Sequence, residues 1–278
     1  IRVRRLTPDS VSSSLTNKTY WDLYVGLIDS KYRYPNTAMI GVQVDASQFD
    51  SVPSRAYDVK LLKVKIPSNY NPITRVYTGT WDGTFTVAWT DNPAWCFYDL
   101  LTNARYGLGE FIDVSQVDKW ALYSIAQYCD GLVDNGRGGT EPRFTCNLLL
   151  QTQAEAYTVV QNMASMFRAI TYWASGAIYT VQDKPADPVM LFTSANVIDG
   201  EFSYSGSGRR GRHTVALVSW NDPTDFYRQK VEYVSNDTAI ARYGVQQTEI
   251  VAVGCTSRGQ AHRMGKWLLL SEENELEN

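Results

Sequence analysis

Over the first 90 residues, apolar and polar positions change places in short runs. "TYWDLYVGLID" (19–29), "TAMIGVQVDA" (37–46), "YDVKLLKVKIP" (57–67) and "TFTVAWT" (84–90) carry β-branched and aromatic residues in partial alternation. Turn signals such as "RYPN", "SVPS", "SNYNP" and "WDG" separate them, so the pattern predicts strands. Lysines 60, 63 and 65 keep no strict period, which suits a bulge or a strand passing an edge.

From Asp91 the period lengthens to that of a helix. Asp91 or Asn92 can cap free amides, Pro93 fits the first helical position, and Trp95, Leu100, Leu101 and Ala104 mark an apolar face that Gly107 ends. A second helix is predicted over 115–129, with Val117, Ala121, Ile125 and Tyr128 on one side. The glycine-rich loop "GLVDNGRGGTEPR" (131–143) leads to the strand "RFTCNLLL". A third helix opens at Thr152 with Glu155 at capping-box spacing and continues through Ala156, Val159, Met163 and Met166. A hairpin over 168–183 turns near Ala174-Ser175-Gly176.

Beyond residue 190 the strand pattern returns in "VMLFTS", "EFSYSGS", "HTVALVSW", "DFYRQKVEYV" and "TEIVAVG". The chain then enters "GCTSRGQAHRMGKW" (254–267), where Thr256 or Ser257 can cap a helix and Gln260 stands at capping-box spacing from Ser257. Ala261, Met264 and Leu268 form its apolar face, with His262 at the polar edge. The expected fold class is α+β: a β-rich region 1–90, an α+β region 91–189, and a second β-rich region 190–278 ending in a helix.

With 278 residues, 44% of them hydrophobic, the chain can build sizeable cores. Its formal net charge of −3, with both signs interspersed, gives no field that would gather nucleic acid or an anionic membrane. The longest apolar runs are far too short to span a bilayer. The chain starts at Ile1 without a Met, and we read it as a piece of a longer protein. Four cysteines without a C-x-x-C pair and two histidines make a structural zinc site a poor fit. Buried reduced thiols are the expectation, and no cofactor is implied.

Four groupings could carry chemistry. Cys255 and His262 flank a helix start, where a thiol could be activated, but no orienting carboxylate is near in sequence. The alternative is a helix cap with an exposed basic face, in which Arg258, His262, Arg263 and Lys266 meet solvent or a neighbouring protomer. The 131–143 loop lacks the lysine and hydroxyl of a phosphate loop and the alternating ligands of a calcium loop, which leaves a structural or contact role. "GRRGRH" (208–213) concentrates Arg209, Arg210 and Arg212. No aromatic platform is interleaved for single strands, and an ion-pairing edge at a protein interface is the alternative to a DNA contact. Asp22, Asp29, Asp45, Asp50, Asp82 and Asp91 offer no spacing that selects a glycosidase pair.

"DNPAWCFYDLLTNARYGLG", "YCDGLV" with "GGTEPRFTCN", and "ARYGVQQTEIVAVGCTSRGQAHRMGKWLL" together resemble the central region of the tail tip attachment (host specificity J) proteins of siphophages and prophages, phage lambda among them. The resemblance implies a non-enzymatic part of a baseplate hub at the distal end of the tail. Such a hub is a homotrimer of β-barrel-like domains flanking an α/β domain. Its implied partners are further copies of itself and other tail-tip and tail-tube proteins, with DNA passing through the channel. Receptor contact would fall to a C-terminal region outside this chain. The protein would be made in the bacterial host cytoplasm and end in the virion tail tip. A carbohydrate-binding or carbohydrate-cleaving tail module is the alternative.

Overall fold

The computed structural model describes residues 4, 6–15, 17–18, 26, 30–35, 37–45, 47–150, 155–203 and 212–275. The chain divides into two units, Ile1–Arg55 and Ala56–Asn278. In the first unit the described residues form turns without helix or strand. Asp45, for example, accepts bonds from the backbone and hydroxyl of Ser47 at 2.9 and 2.7 Å. The strand expected at 37–46 is therefore not formed over 37–45. An apolar run becomes a strand only where a second one pairs with it, and none does among the described residues. The strand expected at 19–29 lies almost wholly outside the described residues.

In the second unit, β1 (Val64–Pro67) pairs antiparallel with β4 (Phe85–Ala88), and β2 (Tyr70–Asn71) pairs with β3 (Val76–Tyr77). The strand expected over 57–67 is thus confined to its last four residues, because its partner is only four residues long. Helix α1 (Pro93–Thr102) starts where Asn92 accepts the Ala94 amide at 3.0 Å, with Pro93 in the first turn. Gly107 is not its left-handed stop. A side chain there would run into the Leu100 carbonyl, so glycine is required by close approach.

Asp118 accepts from Trp120 and Ala121 to begin α2 (Lys119–Asp130), after a single 3₁₀ turn over Val114–Gln116. The glycine-rich loop closes a small hairpin, β5 (Leu132–Asp134) with β6 (Thr140–Pro142). Helix α3 (Ala156–Ser165) follows Glu155, which makes no side-chain cap; Thr152 lies outside the described residues. The expected hairpin forms as β7 (Ala169–Ala174) and β8 (Ala177–Gln182), turning at Ser175 and Gly176.

The last sheet has the order β10–β9–β11. In it β9 (Val215–Asp222) pairs antiparallel with β10 (Arg228–Ser235) and parallel with β11 (Gln247–Val251). A helix not expected from the sequence, α4 (Asp237–Tyr243), carries the chain across; Asn236 caps it and Gly244 ends it at φ 79°. Helix α5 (Arg258–Glu275) lies on one face of this sheet. The runs 189–194 and 201–203 are not strands, again for want of a partner, and 204–211 lie outside the described residues.

The protein is therefore α+β, as expected. Its sheets have two or three strands, and among the described residues none closes into a barrel. Two apolar clusters hold the second unit. One gathers α1, α2, α3 and β1 around Trp95, Phe97, Tyr98, Leu101 and Phe167. The other joins α5 to the last sheet through Val218, Trp220, Val234, Ala261 and Leu269.

A polar knot sits within the first cluster. Asp130 is buried at the end of α2, where a negative charge meets the unfavourable end of the helix dipole. Arg75 offsets this with bonds of 2.8 Å to Asp130 and 2.5 Å to Asp91, while Asn92 and Tyr77 donate to the other Asp130 oxygen at 2.8 and 3.0 Å.

Candidate functional site

The stretch 254–267 was the richest in candidate chemistry, and its surroundings decide what it does. Ser257 accepts the Gln260 amide at 3.2 Å and so caps α5, which is half of the expected capping box. The other half is absent because the Gln260 side chain leaves the helix. Its oxygen accepts the amide and hydroxyl of Thr145, both at 3.0 Å, and its nitrogen donates to the Thr145 carbonyl at 3.1 Å. All of these groups are buried, so each bond answers a desolvated polar atom.

Around this pair the helix start is tied to the β5–β6 hairpin and the segment after it. Ser257 donates to Glu141 at 2.5 Å, and Arg263 pairs with the same carboxylate at 2.5 Å. The Arg263 guanidinium also donates to the carbonyls of Arg143 (3.0 Å) and Pro142 (3.4 Å). Asn147 reaches the Gly254 carbonyl and the Thr256 hydroxyl at 2.8 and 2.9 Å. Farther along α5, Trp267 donates to Asp183 at 2.8 Å and lies under the Arg168 guanidinium, 4.9 Å from its ring centre. The stretch is a latch between the two apolar clusters.

Cys255 and His262 do not form a catalytic pair. The Cys255 thiol is buried and donates to the Ser257 carbonyl at 3.1 Å; burial pushes it up to about 11, which leaves almost no thiolate near neutral pH. His262 turns instead to Glu232 of β10, at 3.2 Å, and Arg258 pairs with the same carboxylate. Of the cations expected to face solvent or a neighbour, Arg263 is turned inward. Arg258 and His262 keep about half their side-chain surface exposed, and Lys266 is exposed. Sequence reasoning missed Glu141, Thr145 and Glu232 because they stand 122, 115 and 26 residues from their partners. No local spacing could have pointed to them.

The other groupings are also absorbed by the fold. Asp134 and Asn135 spend their side chains closing the 131–143 turn, on the amides of Gly136 (2.7 Å), Arg137 (2.8 Å) and Gly139 (3.1 Å). In the arginine turn, Arg209 and Arg210 lie outside the described residues. Arg212 donates to Tyr243 at 2.8 Å and stacks over its ring, and His213 binds Glu272 at 3.0 Å. The Asp45 and Asp82 carboxyls are held low by hydrogen bonds from Ser47 and Thr84 respectively, the opposite of what a general acid needs. Asp91 is engaged by Arg75, and Asp22 and Asp29 lie outside the described residues. An open groove of about 540 Å³ runs past Trp220, Lys230 and Arg258, but Lys230 is paired with Asp222 at 2.6 Å and Arg258 with Glu232. Among the described residues no three His, Cys, Asp or Glu side chains come together as metal ligands.

Comparison with known proteins gives this geometry its context. A family model described as a putative phage tail protein matches residues 155–277, from α3 through α5. A protein named tip attachment protein J, of Escherichia phage SECphi27, is 44% identical over 270 residues, which is 97% of this chain and 23% of that protein. Another of the same name, of Escherichia phage SECphi4, is 37% identical over 274 residues, 98% of this chain and 24% of its own length. The resemblance read from the sequence holds across nearly the whole chain, which spans about a quarter of the length of these relatives.

Proposed function

From its similarity to the tip attachment proteins J, we propose that this chain is a structural, non-enzymatic segment of a phage tail tip, located in the virion. One observation carries the reading: two proteins of that name match 97% and 98% of the chain. The geometry supports it, because the side chains that could have served catalysis are spent on holding the fold together.

In this reading the chain works as a homotrimeric baseplate hub, made in the bacterial host cytoplasm. Its open β-rich regions belong to barrel-like domains completed in the assembly. It contacts other tail-tip and tail-tube proteins and surrounds the path taken by DNA, while receptor contact falls to sequence outside these 278 residues. Arg209, Arg210, Arg212, Arg258 and His262 are offered as interface residues. A carbohydrate-cleaving module gains no support from carboxyls held below their ordinary range.

The test is gold-labelled antibody, raised against the chain, on phage particles from the source bacterium. Label confined to the distal tail tip is expected. Intact tails without label, with the protein free in the lysate, would overturn the reading.

A further inference from the structure

The turn of the β5–β6 hairpin begins Asp134-Asn135-Gly136, and Asn135 is the only asparagine in the sequence that glycine follows. That pairing matters chemically. A backbone nitrogen can attack the side-chain amide of the residue before it, and its own residue's side chain ordinarily shields it. Glycine has none. A Cβ built on Gly136 would meet nothing within 4 Å, and its φ of 74° is one that glycine adopts without strain.

The groups around the pair are arranged for that attack. The Gly136 N–H, which must lose its proton for the nitrogen to become a nucleophile, donates to the Asp134 carboxylate at 2.7 Å. A carboxylate at that distance is in reach to act as a general base. The Asn135 Oδ1, on which negative charge develops during attack, accepts the amides of Arg137 at 2.8 Å and Gly139 at 3.1 Å. Backbone N–H groups aimed at a developing oxyanion are what acyl-transfer sites use to lower a barrier. The bond from Arg137 also makes an Asx turn, which folds the Asn135 side chain back along the peptide bond that holds the Gly136 nitrogen.

We propose that Asn135-Gly136 is a self-modifying site, whose own turn supplies the base and the oxyanion donors for its deamidation. The Gly136 nitrogen forms a bond to Cγ of Asn135 as Asp134 takes its proton. The Cγ–Nδ2 bond then breaks, and Nδ2 leaves as ammonia with that proton, delivered directly or through water. A cyclic succinimide remains. Water opens it at either carbonyl, giving aspartate or an isoaspartyl link. Amide and water thus become carboxylic acid and ammonia, with nothing oxidised or reduced. The reaction goes beyond the tail-tip reading and does not rest on it.

The site is placed to act on the latch at the start of α5. The Asp134 carbonyl accepts from Arg263 at 3.3 Å, and a side chain added at Gly259 would come within 3.1 Å of the Asn135 carbonyl oxygen. The isoaspartyl form puts a carboxylate where that carbonyl stands and lengthens the main chain by one carbon. Both changes loosen the seat of the hairpin on α5.

The experiment follows the purified chain at neutral pH by mass spectrometry of the peptide that carries residue 135, once folded and once unfolded in guanidinium chloride. A fold that merely restrains the turn slows this chemistry. Here the folded chain should convert on the order of tenfold faster than the unfolded one, because only the fold assembles the base and the donors. Asp134→Ala should remove about that tenfold advantage and leave the unfolded rate nearly as it was. Asp134 is exposed, so the variant should fold, which circular dichroism checks; the comparison of folded with unfolded unaltered chain needs no variant. Conversion no faster in the folded chain, or a folded Asp134→Ala variant that converts at the unaltered rate, would each overturn the proposal.

Discussion

At the scale of single residues, the β9–β10 turn shows how a short-range motif sets a titration. Asp222 accepts from the amide and hydroxyl of Thr224 at 2.9 and 2.7 Å and from Lys230 at 2.6 Å. The Lys230 bond, followed by those from Thr224, lowers its carboxyl from near 3.8 to about 2. A carboxyl lowered on folding adds stability that is complete above its unfolded value and vanishes as pH falls through the folded one. The difference in urea midpoint between the unaltered chain and Asp222→Asn should therefore be constant above pH 4 and shrink between about 4 and 2. A difference that persists unchanged at pH 2 would refute this account. The bonds between Asp222 and Thr224 join residues two apart and need only local geometry. The Lys230 bond spans eight residues and needs the β9–β10 pairing to bring the lysine across.

Helix α5 shows the same division at the scale of an element. Its capping residue, its start and the Ala261 and Met264 positions of its apolar seam followed from period and spacing, because a helix obeys contacts three and four residues apart; the buried leucine is Leu269 rather than the expected Leu268. What the seam packs against did not follow. Gly265 faces β9 and β10, and a methyl group there would come within 2.8 Å of side-chain carbons of both Val218 and Val234. Gly265→Ala gains about 1 kcal/mol of helix propensity but overpacks a filled core at a cost of about 2 kcal/mol. We expect a net loss of about 1 kcal/mol by urea denaturation, relieved in the double variant with Val234→Ala. Stabilisation by Gly265→Ala alone would show that the helix can lift off the sheet without penalty. The expected strands over 37–45, 189–194 and 201–203 mark the converse limit: alternation gives a segment the capacity for a strand, and only a partner makes one.

On the scale of the whole molecule, the latch between the two apolar clusters couples regions that the sequence separates by more than a hundred residues. Glu141 is its centre, holding Ser257 and Arg263 at once. Glu141→Gln leaves Arg263 without its charge partner and should destabilise the chain by about 2 kcal/mol. Amide exchange in β9 and α5 should then quicken ahead of that in α1 and α2. An unchanged urea midpoint would show that the latch contributes nothing. By itself the sequence determined the α+β class, the capped starts of α1 and α5, the β7–β8 turn and the resemblance to tail tip attachment proteins. These rest on local period, turn chemistry and residue identity. Only the tertiary structure decided that Cys255 is inert, that Arg263 is spent inside the chain, and that Thr171, Thr180 and Gln182 of the β7–β8 hairpin are buried. Each of those outcomes depends on desolvation and on partners far along the chain, and neither is written in the spacing of neighbouring residues.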